Sequence, residues 1–225
     1  MHGVRPGASA DPISVTSEGL DTALSLSYYS RMRAITNLLP LLMESPGGTV
    51  VSVINPKLEK KLRTDDLGLR QKGNFAIRLA LSHAAHMTTF FMEAVAARHP
   101  GKLSLIHYFP GMVMTDLAYK SPIPGVVKML WRYIMAPISK RRAIPLEECG
   151  ARSIFLTAGK FAPQGSHAVG ADGRIGSGAY RVDFDGETLP LNEDARHLRE
   201  GGIIDMVWDH TMKTFDEIQT QGKLV

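Results

Sequence analysis

Three histidines and one proline-glycine pair are the residues whose types and placing could do chemistry in this chain. His83 and His86 fall three apart in Ser82-His-Ala-Ala-His86, so on a helix they occupy neighbouring faces about one turn apart. His107 lies near the end of an apolar run, Leu103-Ser-Leu-Ile-His-Tyr-Phe109, just ahead of Pro110-Gly111. Imidazole titrates near neutrality, so such a set suits proton abstraction beside a carbonyl, an isomerase or lyase task that needs no hydride. The same residues also read as two polar helix positions and one hydrogen-bonded strand residue. As metal ligands they lack a third partner at clear spacing, Asp65 and Asp66 being the nearest offers, and no metal is assigned. Cys149 has no paired base in sight and reads as an inert thiol; a single cysteine excludes an internal disulfide and fits a reducing compartment.

The elements that must position these residues follow from periodicity. The run from Leu103 to Phe109 has the composition of a buried strand in a parallel sheet, and Pro110-Gly111 ends it as a strand opening into a loop, the place where ligands sit in open α/β sheets. Thr49-Val-Val-Ser-Val-Ile54 is a β-branched strand, and Ala179-Tyr-Arg-Val-Asp-Phe184 alternates like a last one, turned by Asp185-Gly186. Apolar residues at steps of three and four predict a helix from about Leu20 to Met43, using Leu20, Ala23, Leu24, Met32, Ile35, Leu38, Leu39 and Leu42. A second helix is predicted over Phe75 to Ala97, stopped by Pro100-Gly101. A third, capped by Pro145 and the acids Glu147 and Glu148, runs to about Thr157, and a charged terminal helix covers Asp194 to Gln221. Between the first strand and the second helix, residues 55–74 are polar and have the character of an active-site loop or a disordered insert.

Length and composition bound the rest. At 225 residues, 44% hydrophobic and 21% charged, the chain is ordinary globular material, expected as one domain over 17–225 behind a loose tail, 1–16. The net charge of +4 includes one dense basic run, Lys140-Arg141-Arg142, without interleaved aromatics, which reads as a solvated helix end and not a nucleic-acid site. No signal peptide is recognisable, so the expected location is cytoplasmic. The stretch 126–138 is amphipathic and too short to span a bilayer, allowing at most peripheral membrane contact.

Several segments resemble, in order, the second half of the short-chain dehydrogenase/reductase family. Pro-Gly-x-Val-x-Thr-Asp, from Pro110 to Asp116, is similar to the segment after that family's sixth strand. Glu18-Gly-Leu-Asp21, with Asn37-Leu-Leu-Pro-Leu-Leu42, resembles its long fourth helix, and Pro145-Leu-Glu-Glu-Cys-Gly150 the start of its sixth. Ile144-Pro-Leu-Glu-Glu-Cys-Gly150 and Trp208-Asp-His-Thr211 are similar to features of fungal members associated with specialised metabolism. The resemblance implies an α/β fold: a partial Rossmann-like parallel sheet of about three strands flanked by helices, the N-terminal half of the usual fold missing ahead of Ser17. It implies an oxidoreductase using NADP or NAD, with Pro110, Gly111, Val113 and Thr115 lining the nicotinamide end of the pocket. Substrate would be chosen by residues 118–142.

The family's catalytic tetrad is not matched. Aligned on Ser82-His-Ala-Ala-His86, its lysine falls on His83 and its tyrosine on Leu79; its serine falls near Asn55, and its asparagine near Ser27 or Tyr28. The glycine-rich phosphate motif is not matched either. Two functions from different classes therefore stand: a dehydrogenase-type oxidoreductase, and a non-catalytic or cofactor-independent protein that binds a small molecule or a partner. An unpaired edge at the 49–54 strand, or the long helices, would provide a homodimer contact.

Overall fold

The computed structural model describes residues 15–113, 129, 143–163 and 165–224. Three strands, β1 (Gly48–Val53), β2 (Leu103–Tyr108) and β3 (Ala179–Val182), form one parallel sheet in the order β1-β2-β3. Register sets Val51 opposite Ile106 and Ile106 opposite Tyr180. The predicted parallel pairing of the first two strands is thus observed, and the architecture is the expected partial Rossmann-like sheet with helices between its strands in sequence.

Two compact units partition the chain. One holds the described residues of Leu42–Pro56 and Ala96–Leu191, including the whole sheet. Successive side chains of a strand alternate between faces. One face carries Val51, Ile106, Tyr108, Tyr180 and Val182, and Leu156 and Phe161 close over it with Ala168 at the margin. Phe161 is fixed there because its carbonyl accepts from the Ser104 hydroxyl, and the Tyr180 phenol donates to Ala162 O at 2.9 Å. Leu156 follows the helix α4 (Leu146–Phe155), which starts at Pro145 with Glu147 and Glu148 in its first turn, as the proline-acid pattern predicts. Burying six of these side chains, with Val51 and Ala168 only partly covered, at about 25 cal/mol per Å2 of apolar surface is the main force holding this face. Gly178 is required where β3 enters: its φ is +84°, and a methyl there would sit 3.1 Å from Leu103 O. Among the described residues β1 pairs with β2 alone, so its other edge carries no strand.

The other unit holds the described residues of Met1–Leu41, Lys57–Val95 and Asn192–Val225. Its framework is α3 (Ile77–Arg98, up to Val95) with the first and last segments of the chain. The predicted 20–43 helix is broken into a short α-turn, α1 (Thr22–Leu24), a π-helical turn (Ser25–Tyr29) and α2 (Ser30–Glu44). The wider π turn shifts the buried stripe to Leu24, Tyr28, Tyr29, Met32 and Ile35, so Leu38 and Leu41 end 53% and 66% exposed. The predicted terminal helix is likewise two helices, α5 (Glu193–Glu200) and α6 (Ile203–Gln221). Gly201-Gly202 separates them, Gly202 taking a φ of +79° that a non-glycine residue resists.

Residues 1–14 of the expected tail lie outside the described residues, whereas Thr16 caps a turn by accepting from Leu20 N–H on its hydroxyl and its carbonyl accepts from Gly19. The amphipathic stretch 126–138, apart from Met129, and Lys140-Arg141-Arg142 also lie outside. No helix among the described residues is long and apolar enough to cross a membrane.

Candidate functional site

The strand-end mouth is built by the carboxyl end of β2. Phe109 N–H donates to Val182 O at 2.9 Å, then the chain turns away through Pro110 and Gly111. Gly111 has a φ of +82°, and a methyl on it would lie 2.6 Å from Ile144 Cδ1 and 3.0 Å from Phe184 Cβ. The glycine is therefore demanded twice, by conformation and by crowding. Met112 O accepts from Ile144 N–H at 2.9 Å, and Val113 forms an isolated parallel bridge with Ile144. Thr115 and the expected substrate loop 118–142 lie outside the described residues.

His107 sits on the opposite face of β2 from Ile106 and Tyr108, in a polar row across the sheet. It faces Ser52 on β1 and Arg181 on β3 in register, and all three are buried. Arg181 Nη1 donates to Pro190 O at 3.1 Å. His107 and the pair on α3 belong to different units.

On α3, Ser82 and His83 tie down the polar loop that precedes the helix. The Ser82 hydroxyl accepts from Lys60 N–H (3.0 Å) and Lys61 N–H (2.9 Å) and donates to Lys61 O (2.8 Å). His83 Nε2 accepts from Arg63 N–H at 3.0 Å, which fixes the proton on Nδ1, and that nitrogen donates to Leu67 O at 3.1 Å. Burial lowers the pKa of His83, against the opposing pull of Leu67 O and Asp66, so the ring is neutral. The loop itself is organised by Asp66, whose carboxylate accepts from Arg70 N–H, Gln71 N–H and Asn74 Nδ2. Burial alone would raise Asp66, but those hydrogen bonds outweigh it and its pKa is lowered. Of the two alternatives for residues 55–74, the loop is ordered. His86, 1% exposed, stacks on Phe90 with centroids 5.8 Å apart.

A pair that sequence reasoning missed lies in the same unit. The Tyr29 hydroxyl is 2.7 Å from His210 Nε2, and the Tyr28 hydroxyl is 2.5 Å from Thr211 Oγ1. Thr211 in turn donates to Val207 O, so it accepts from Tyr28. Trp208 stacks on Phe91 at 5.2 Å. The Trp208-Asp-His-Thr211 segment is thus the docking edge of α6 against the π turn and α3, and its presence in the sequence was the available signal. Burial pushes both phenols well up and takes His210 down to about 4, so Tyr29 donates to a neutral imidazole. Gly68, Arg70, Lys213 and Glu217 complete a polar cleft of about 160 Å3 beside this pair.

Whether these residues fit a nicotinamide cofactor can be judged at two points. At the mouth, the space that a side chain on Gly111 would take is already filled by Ile144 Cδ1 and Phe184 Cβ, so Gly111 itself opens no room for a ring there. The position aligned with the family's lysine does not fit: both ring nitrogens of His83 are held by backbone groups and neither is left for a ribose hydroxyl. Leu79, half-buried one turn earlier, offers no phenol. Among the described residues, the groups at these two positions do not assemble a hydride-transfer apparatus. Among the described residues no group of three potential ligands could hold a metal ion.

No protein-family model matches the chain. Curated relatives do. An oxidoreductase of Emericella nidulans is 36% identical over 215 residues, covering 90% of this chain and 63% of the relative. An NmrA-like family domain-containing oxidoreductase of an Aspergillus species is 33% identical, covering 92% and 61%. A short-chain dehydrogenase/reductase of Stachybotrys chartarum is 30% identical, covering 93% and 62%. The chain spans a little over six-tenths of the length of these relatives. With the parallel sheet and its Pro-Gly mouth, the match shows that the chain is similar to fungal oxidoreductases, one of them named a short-chain dehydrogenase/reductase.

Proposed function

We propose that the protein is an oxidoreductase of the short-chain dehydrogenase/reductase type, using NADP or NAD on a small-molecule substrate of specialised metabolism, with Pro110, Gly111, Val113 and Thr115 at the nicotinamide end. The observation that carries this reading is the parallel β1-β2-β3 sheet ending in that mouth, in a chain whose relatives are oxidoreductases. A second reading, a small-molecule-binding protein without turnover, is favoured by one feature: His83 holds a loop where the family has a lysine.

A titration with NADPH, followed by cofactor fluorescence, separates the two. The oxidoreductase reading expects saturable binding, weak because His83 cannot supply a lysine's contacts, and weakened further in Val113→Asp. No change up to millimolar NADPH would overturn the redox reading and leave the binding one. Pairing of two copies through the open edge of β1 is also proposed; gel filtration would give a dimer, and a monomer at all concentrations would reject it.

A further inference from the structure

Two uncommon backbone features flank one cleft in the unit that holds α3 and α6. The first is the π turn Ser25–Tyr29, which carries Tyr29 to its 2.7 Å bond with His210. The second is Leu69, buried and with a φ of +52°, the one non-glycine residue in the left-handed region among the described residues. Its neighbours on either side, Gly68 and Arg70, both stand in the wall of the cleft. π turns and residues held in sparsely populated conformations recur at functional sites.

The cleft, of about 160 Å3, has the liquid-volume share of about five water molecules. Its wall presents donors that solvent can reach. Tyr29 keeps its proton and gives it to His210 Nε2, so the neutral ring carries its own proton on Nδ1. That nitrogen has no partner among the described residues and is not shut off from solvent. Burial sets the pKa of both groups, and the Arg70 charge opposes it at Tyr29 and adds to it at His210, which places the guanidinium close to the pair. Arg70 and Lys213 are both exposed, and Lys213 Nζ makes a loose pair with Glu217 at 3.8 Å. Gly68 leaves the floor open. Its φ lies outside the left-handed region, so conformation does not demand the glycine, and a methyl there would sit 3.6 Å from the Tyr29 hydroxyl and 3.4 Å from Arg70 Cγ.

We infer that this cleft binds a small monocarboxylate of about six non-hydrogen atoms, whose oxygens accept from His210 Nδ1 and pair with Arg70 and Lys213. Asp21 and Glu217 also stand in the wall, and their like charge disfavours a doubly charged ligand such as phosphate. No residue assigned to the nicotinamide mouth lines the cleft, so the site stands apart from the oxidoreductase reading.

The test titrates isobutyrate and its neutral analogue isobutyramide into the full chain labelled with nitrogen-15 at histidine, the His210 ring signals being assigned by their loss in His210→Gln. In wild type, isobutyrate is expected to shift those signals saturably and to bind about tenfold more tightly than isobutyramide, the difference one charge-assisted contact makes. Added salt should weaken the carboxylate and leave the amide unaffected. Lys213→Gln, at a side chain 78% exposed, should weaken isobutyrate about threefold without altering the fold. Gly68→Val, which fills the floor, should abolish binding of both probes, with its thermal midpoint showing that it is folded; should it not fold, the Lys213→Gln comparison decides. No saturable shift of His210 with isobutyrate, equal affinity for the two probes, phosphate binding more tightly than isobutyrate, or undiminished isobutyrate binding in Lys213→Gln or in folded Gly68→Val would each overturn the assignment.

Discussion

The Tyr29 hydroxyl donates to Nε2 of His210 across 2.7 Å, joining residues 181 positions apart. The bond requires a neutral imidazole, and burial holds the His210 pKa down to about 4 against an ordinary 6.5. The unfolded chain therefore binds a proton at His210 that the folded chain does not, between those two values. Stability contributed by the neutral ring is fully present above pH 6.5 and is lost as pH falls towards about 4. Urea unfolding across this window is expected to show uptake of about one proton from this site. His210→Gln should flatten the dependence, and an unaltered slope in that variant would assign the effect elsewhere.

Glu93 and Arg199 form a two-pronged ion pair, Nε to Oε2 at 2.8 Å and Nη2 to Oε1 at 2.6 Å, with side chains only 5% and 12% exposed. Removing one partner leaves the other charge buried, which costs about 3–5 kcal/mol. Glu93→Gln is expected to lose stability of that order in urea unfolding. Glu93→Gln with Arg199→Met should recover a large part of it, since the uncompensated charge has gone.

Gly111→Ala tests the crowded strand end. A side chain at φ +82° costs about 1–2 kcal/mol, and contact with Ile144 Cδ1 adds to that. Combining it with Ile144→Ala should relieve the contact part only, leaving the conformational part measurable by thermal unfolding.

Ser82 and His83 predict the behaviour of the loop they hold. Its backbone carries Lys60, Lys61, Arg63 and Arg70, all trypsin sites, yet three of its N–H groups and two of its carbonyls bond to those side chains. Ser82→Ala is expected to raise the rate of tryptic cleavage there roughly tenfold, the consequence of losing at least one net hydrogen bond. An unchanged rate would mean that the loop is held by other contacts.

What could be read in the sequence was what short range decides. Thr49 to Ile54 and Leu103 to Phe109 are dense enough in β-branched and apolar residues to announce parallel strands, and Pro110-Gly111 marks their mouth. The π turn at Ser25–Tyr29 was hidden because one extra residue in a turn barely disturbs a three-and-four pattern. The break at Gly201-Gly202 was visible as a glycine pair but was overridden by the apolar periodicity on its far side. Loop 55–74 looked loosely polar because its order comes from partners on α3, about twenty residues further on. The Tyr29–His210 pair depends on bringing together the two ends of the chain, which no local pattern encodes.

His83, at the position the family gives to its lysine, is a neutral loop latch with both nitrogens occupied. Nitrogen-15 NMR of protein labelled at histidine, with the His83 signals assigned by their loss in His83→Gln, measures this directly. A protonated Nδ1 beside an unprotonated, acceptor-type Nε2 at pH 7 is the predicted result. A proton on Nε2, or an imidazolium at that pH, would contradict it.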